Sequence, residues 1–529
     1  MLAPSAAFAG GLFLPGDGAV STSRGGAAVA STDDGEALAI NPAGLAKTKG
    51  TTITLSATVI SYAMQFTRSG TYDNIPGYAT AYAGTAYPTV ENKAKPPLGF
   101  GSWQPVPVFT IASDLGGIVP GLHVAIGLFA PNAYPFRDMC TKTASGCQKY
   151  NFAQDNANTS VAPSPVRYDI DHQEAAVLLP SIAVAYRIMP TLDVGARFSA
   201  AMASLKSTTY LWGNPQNLVE DPRSDAQFNI DAKDNFIPTF GLGATYRPTP
   251  NLELGANYNY KVDIKAKGTA TSVLGAGVTL GTIGNTPDMA THCETGGTLT
   301  VQKACVNLGL PMTAQLGARW KFLDKQGTEL GDIEIDGDWE HWGVRADGTD
   351  SSAVSPSDYN VIVDSSVYVN GTAALNLKNA LIPHGLTDTY GVRVGGSYHI
   401  PVGRDLLTVR GGLGYDTNAA PRGWYRADLD GAQRENFAVG AGYKITHWEF
   451  NVGFGYIHEG QYSNPGDCDP TGGSPGCDGT GHDTPTGTRV GVDPINPLLV
   501  PTAQVQSPVN QGKYTSHYTE FMLGATTWF

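Results

Sequence analysis

Apolar and polar positions along this chain alternate with a period of two. The clearest run is 447–459, where Trp448, Phe450, Val452, Phe454 and Tyr456 alternate with Glu449, Asn451, Gly453 and Gly455. A helix would repeat its apolar positions about every 3.6 residues, whereas a pleated strand sends successive side chains to opposite faces. The split recurs at 251–267. Leu252, Leu254, Ala256, Tyr258, Tyr260, Val262 and Ile264 take one face, and Glu253, Asn257, Asn259, Lys261, Asp263, Lys265 and Lys267 the other. A strand of a soluble sandwich alternates in the same way with its apolar side turned inward, so one strand does not separate water from lipid.

Count and spacing do separate them. The pattern predicts fourteen strands, near 51–66, 98–113, 120–131, 175–188, 191–212, 235–248, 251–268, 309–324, 331–344, 386–400, 404–416, 434–445, 446–460 and 513–529. Connections of up to about 6 residues, such as Met189-Pro190 and Pro401 to Gly403, alternate with long ones of about 17 to 52 (67–97, 132–174, 269–308, 345–385, 461–512), the layout of an outer-membrane barrel with tight periplasmic turns and long extracellular loops. The expected fold is therefore all-β, a transmembrane antiparallel β-barrel of about fourteen strands over residues 51–529, in the outer membrane of a Gram-negative cell.

Composition agrees with two chemically different faces: 64 glycines and 24 tyrosines in 529 residues, with 15% charged. No stretch approaches the roughly 18 consecutive apolar residues of a membrane helix, and only helices and closed barrels satisfy every backbone group in lipid. A net charge of −13 with scattered Lys and Arg excludes nucleic acid as a partner and reads as solvated loop surface. All six cysteines fall as local pairs inside long connections, Cys140/Cys147, Cys293/Cys305 and Cys468/Cys477, which points to disulfides in an exported chain. A zinc site would want closer spacing and histidine neighbours beyond His292.

Ala7-Phe8-Ala9 has the small-x-small form cut by signal peptidase, so residues 1–9 read as the tail of a signal peptide and Gly10 as the mature start. Residues 10–50 do not alternate; rich in Gly, Ala, Ser and Asp, they suit either a tail or a compact plug. A search for catalytic chemistry finds no GxSxG, HExxH or P-loop, and His458 with Glu459 and His341 with Glu340 read as polar groups at the barrel rim. No enzyme activity, cofactor or metal is implied. By strand parity Arg197, Arg319, Lys321, Arg393 and Arg410 point into the lumen, where the arginines are candidate contacts for a ligand carboxylate or partners for Asp33, Asp34 and Glu36.

Gly25-Gly26-Ala27, Asp33-Asp34 and above all Asn41-Pro42-Ala43 resemble the hatch of the FadL-type family of long-chain fatty acid and hydrocarbon transporters. The resemblance continues through Gly127-Leu128-Phe129-Ala130-Pro131, Leu179-Pro180-Ser181-Ile182-Ala183, Asp338-Trp339 and Gly414-Tyr415-Asp416, and the last strand ends on Trp528-Phe529 in the manner of an outer-membrane assembly signal. It implies a monomeric barrel plugged by residues 10–50, with Asn41, Pro42 and Ala43 in the gating hatch. It also implies passive uptake of hydrophobic molecules and lateral exit at a kink in the third strand, marked by Gly127, Phe129 and Pro131. Expected partners are a hydrophobic ligand and outer-membrane lipids. The long cysteine-bearing connections depart from the smaller members. A porin-like channel for polar solutes and a surface binding barrel are the alternative readings.

Overall fold

The computed structural model describes residues 11–211, 219–275, 301–343, 361–369, 372–382, 384, 386–420, 424–464 and 509–529. The proposed signal segment 1–9, with Gly10, lies outside the described residues.

Fourteen strands close into one antiparallel barrel. They are strand 1 (Thr51–Arg68), strand 2 (Gln104–Ser113, continued by Thr89–Asn92), strand 3 (Leu122–Phe129, resuming as Phe136–Thr143), strand 4 (His172–Met189) and strand 5 (Leu192–Leu211). Strand 6 is Ala226–Tyr246, strand 7 Leu252–Asn259 and Val262–Leu274, strand 8 Val301–Leu310 and Thr313–Leu323, strand 9 Glu329–Glu340, and strand 10 Thr389–Val402. Strand 11 (Asp405–Asp416), strand 12 (Arg434–Ile445), strand 13 (Trp448–Asn464) and strand 14 (Gly512–Trp528) complete the wall. Strand 14 pairs with strand 1 over its whole length, from Thr52↔Trp528 to Arg68↔Gly512. The barrel is therefore closed by its own first and last strands. Residues 98–103, expected within strand 2, instead form a turn bridged by Phe100 and Trp103.

The outer surface carries the lipid signature. On strand 10 Tyr390, Val392, Val394 and Tyr398 are all exposed, so an aromatic ring sits at each end of an aliphatic stretch. Tyr415, Phe437 and Tyr456 repeat the upper ring on neighbouring strands, and Trp320, Tyr443 and Trp448 the lower one. Amphipathic rings at both interfaces around an apolar band are what a transmembrane barrel requires.

The single apolar face expected along 251–267 does not stay on one side of the wall. Leu254 and Tyr260 face outward, but Val262, Ile264 and Ala266 are buried inside. Strand 7 breaks between Asn259 and Val262, strand 8 breaks opposite it between Leu310 and Thr313, and the register of strands 5 and 6 shifts between Ala201 and Ala203. Strand 6 inverts likewise: Phe236, Phe240 and Leu242 are exposed, whereas Phe228, Ile230 and Ala232 are buried. The cause is the medium. Beside lipid the apolar side chains belong outside, and above the bilayer, with water outside, they belong inside.

Cys140 and Cys147 form a disulfide beside the resumed part of strand 3, and Cys305 is also disulfide-bonded. Cys293, Cys468 and Cys477 lie outside the described residues.

A charge on the lipid face tests the membrane assignment. Val394→Arg is expected to cost roughly 2–4 kcal/mol near the bilayer midplane, read from denaturant unfolding in phospholipid vesicles. A loss below about 0.5 kcal/mol, the usual scale of surface changes, would contradict a lipid-facing Val394.

Candidate functional site

Residues 11–50 carry only short regular elements, the helices Ala19–Ser23 and Ala37–Ile40 and the 3-10 turn Pro42–Lys47. They are nonetheless buried almost throughout. Their surroundings are glycines on the inner wall. A Cβ at Gly195 or Gly243 would strike Pro42 or Asn41, at Gly255 Val29, at Gly395 or Gly412 Arg24, and at Gly453 Ser23. Contacts with strands on every side place the segment inside the barrel, and side chains there would exclude its backbone.

A segment without regular structure leaves amides unpaired, and strand 9 supplies their acceptors. Asp336 accepts from the Ala28 and Val29 N–H at 2.8 and 3.0 Å, and Glu334 from the Ala30 N–H at 2.6 Å. Arg24 lies beside them and forms ion pairs with Asp332 at 2.7 Å and Glu334 at 3.0 Å. Burying charges is costly unless they are both paired and hydrogen-bonded, and Arg24, Asp332 and Glu334 are both. Two strands away Lys47 pairs with Glu253 of strand 7 at 2.9 Å, and Arg319 links Glu253 to Asp332.

The Asn41-Pro42-Ala43 motif has a local logic. The Asn41 side chain accepts the Ala43 N–H at 3.1 Å, capping the turn that Pro42 opens, and its amide donates to Val29 O at 2.7 Å and Ala244 O on strand 6 at 3.3 Å. One side chain thus caps its own turn, ties it to the preceding stretch and fixes both to the wall.

Strand 3 is interrupted where its Gly127, Phe129 and Pro131 led the sequence to be read as kinked. Phe129 is the last residue of the lower part, and Pro131 lies in the gap. Ala175 to Leu178 of strand 4 pair with strand 5 (Ala175↔Leu205 to Leu178↔Met202) but not with strand 3, whose ladder to strand 4 covers Leu122–Phe129 and Phe136–Asp138. Inside the gap, Asn132 pairs with the N-terminal segment. Its N–H donates to Asp17 Oδ1 at 3.1 Å, its C=O accepts from Leu14 N at 2.7 Å, and its amide donates to Pro15 O at 3.2 Å. Burial pushes the Asp17 carboxyl up to about 7, against the lowering effects of the Asn132 hydrogen bond and of Arg197.

The lumenal arginines are all engaged. Arg197 donates to Leu38 O and Ala39 O at 2.6 and 3.1 Å and lies over the Phe129 ring. Arg319 pairs with Glu253, Glu329 and Asp332, Arg393 with Asp416, and Arg410 with Glu449. Lys321 joins Glu253. Asp33, Asp34 and Glu36 form no ion pair among the described residues. Glu36 instead accepts from Val20 N, Ser21 N and Ser56.

Above this packed layer the lumen carries two apolar patches, with the buried Arg434–Glu459 pair beside the first, Arg434 lying over the Tyr518 ring. Ile60, Met64, Phe66, Val106, Tyr514 and Tyr518 form one patch, which Leu14 joins. Leu179, Ala201, Ile230, Ile264 and Val306 belong to a second patch, against which Leu12 and Phe13 pack. At the first lies Arg137, 2% exposed, its guanidinium 4.6 Å from the centre of the Tyr62 ring. Its hydrogen bonds end on the carbonyls of Ala427, Tyr134 and Phe136, and no described carboxylate forms an ion pair with it. The sequence reading missed Arg137 because it follows the break, where alternation fails; only the flanking Tyr134-Pro135-Phe136 signals an apolar setting.

No curated protein sequence matches the chain. Among solved structures, the barrel is similar to a Pseudomonas aeruginosa FadL homologue (16% identity, TM-score 0.66, covering 98% of this chain and 100% of that one). It is also similar to the P. putida toluene transporter TodX (16%, TM-score 0.60, 98% and 99%) and the Ralstonia pickettii toluene transporter TbuX (15%, TM-score 0.57, 98% and 99%). At these identities the likeness carries the fold, and the sequence family carries more. The profile of the outer membrane protein transport proteins (OMPP1/FadL/TodX) matches residues 1–467, so the chain belongs to that family of outer-membrane barrels that transport hydrophobic molecules.

Proposed function

We propose that this protein takes up long-chain fatty acids or related lipids and hydrocarbons passively. In this reading residues 10–50 act as a hatch, and the ligand leaves sideways through the interruption of strand 3. The observation that carries the reading is the apolar upper lumen, reached by Leu12, Phe13 and Leu14 of the hatch and bounded by strand 3. Pockets for such ligands are apolar with few polar groups to orient them. Arg197, Arg319, Arg393 and Arg410 are engaged already, so a ligand carboxylate would have to displace an existing partner there. Arg137 donates hydrogen bonds to carbonyls and lies over the Tyr62 ring without a described ion-pair partner, which supports it as the carboxylate contact and favours a fatty acid over a neutral hydrocarbon.

Displacing Leu14 and Asp17 would free the backbone of Asn132 and open the wall beside Ala175 to Leu178, whose edge toward strand 3 is unpaired. Asn41, Pro42 and Ala43 are the fixed end of this movement, because they hold the hatch to strands 5 and 6 while its first residues shift.

Four measurements test the reading. Palmitate is expected to bind the purified protein, and Arg137→Gln to weaken it by about tenfold, the scale of one charge-assisted hydrogen bond. Hexadecane should be insensitive to that change, and a large steady ion conductance in planar bilayers would overturn the plugged transporter altogether. Asn41→Ala should reduce uptake while leaving the heat-resistant folded barrel intact on gels, and unchanged uptake would contradict a gating role.

The fourth concerns pH. Because the Asp17 pKa rises from 3.8 to about 7, the native state keeps a proton that the undocked segment releases. Docking of residues 14–17 is strongest below 3.8, weakens as pH rises, and levels off above about 7. Amide exchange at these residues, corrected for its intrinsic pH dependence, should accelerate between about pH 4 and 7 in the native protein and less so in Asp17→Asn. Equal slopes would rule out Asp17 as the cause.

A further inference from the structure

On the outer face of strands 5 to 7, just above the exposed rings of Phe236, Phe240 and Tyr260, the surface turns abruptly cationic. Lys206, Lys233, Lys265 and Lys267 project outward there, at the level where the wall inverts. Lys233, Lys265 and Lys267 line an open hollow of about 600 Å³, together with Asn235, Gly268, Thr269 and the carboxylates of Asp231 and Asp234.

Lys233 and Lys267 stand directly opposite one another in the ladder, and among the described residues neither has an acidic partner. Like charges in register on adjacent strands destabilise a sheet unless something neutralises them. The nearby acids are otherwise engaged. Asp234 accepts from the Lys265 N–H at 2.9 Å and the Phe236 N–H at 3.3 Å and so bridges the strand break, while Asp231 faces Lys206 at 3.9 Å and Asp263 faces Lys265 at 3.5 Å.

We propose that this hollow binds a phosphorylated headgroup of an outer-leaflet glycolipid. Three observations select that occupant. The patch lies on the side of the long connections, hence on the extracellular side of the membrane. It sits immediately above the aromatic ring that marks the interface, which is the height of the headgroups. Its uncompensated charge is positive in a chain whose net charge is −13. Lysines at a membrane surface are worth on the order of 1 kcal/mol each toward anionic lipid, and basic pockets on membrane proteins recognise phosphorylated headgroups. The glycolipid's acyl chains would lie along Phe236, Phe240 and Leu242, and its phosphate would separate the two ammonium groups.

The test is native mass spectrometry of the full-length barrel in mild detergent, titrated with lipid A, with lipid A stripped of its phosphates, and with inorganic phosphate. Wild type should retain lipid A, and the double variant Lys233→Gln/Lys267→Gln should bind it about tenfold or more weakly, from two lysines at that scale. Lys513→Gln, an exposed lysine on strand 14, should leave binding unchanged and controls for general loss of charge. Equal retention by wild type and the double variant would overturn the proposal, as would equal binding of the dephosphorylated lipid. Displacement of lipid A by an equimolar amount of inorganic phosphate would reduce the hollow to a simple anion site and would also overturn it. Both substitutions are on the exposed face, and folding is checked independently by heat-resistant migration on gels.

Discussion

A backbone surrounded by hydrocarbon has no water to bond with, so every amide of the wall must find its partner within the chain. Closure of strand 14 on strand 1 meets that requirement around the circumference. The interruption of strand 3 is the conspicuous exception, and its central residue is satisfied from within. Asn132 forms with Leu14, Pro15 and Asp17 the bonds that a neighbouring strand would otherwise provide. Integrity of the wall and position of the N-terminal segment are therefore one condition, not two.

The segment in turn depends on carboxylates held by a rigid strand. Charge-assisted bonds such as those from Arg24 to Asp332 and Glu334 are stronger than neutral ones, at about 1.5–3 kcal/mol each. Asp332, Glu334 and Asp336 occupy alternate positions of strand 9 and meet Arg24 and the amides of residues 28–30 along one line. Buried ion pairs are poor sources of net stability, because desolvation offsets most of their attraction. What this row of acids does supply is a register, since a shift of the segment by one residue would leave both the carboxylates and the amides unpaired.

Much of this was legible in the alternation of residues. Strand number, the segregation of long connections and the inward direction of Arg197, Arg319, Arg393 and Arg410 follow from a period of two. The Asn41-Pro42-Ala43 signal could be read because a cap, a proline and a small residue are local features. What could not be read depends on contacts distant in sequence. The arginines' acidic partners lie on other strands or beyond a turn, such as Glu253 for Arg319 and Asp416 for Arg393. The inversion near Tyr260 keeps the same parity on both sides of the break, so the pattern looks continuous while the wall turns over. Arg137 stands where alternation has lapsed and only the folded chain brings Tyr62 and Ala427 to it.

That inversion has a bearing on how an apolar solute would be accommodated. Above the bilayer, Val262, Ile264, Phe228 and Ile230 turn inward and the lumen becomes the hydrophobic core of that half of the molecule. A guest there would be dissolved by the same side chains that fold the extracellular half, exchanging contacts with Leu12 and Phe13 for its own. Solute and N-terminal segment would thus be rival solvents for one surface, and the free energy that seats one would be withdrawn from the other.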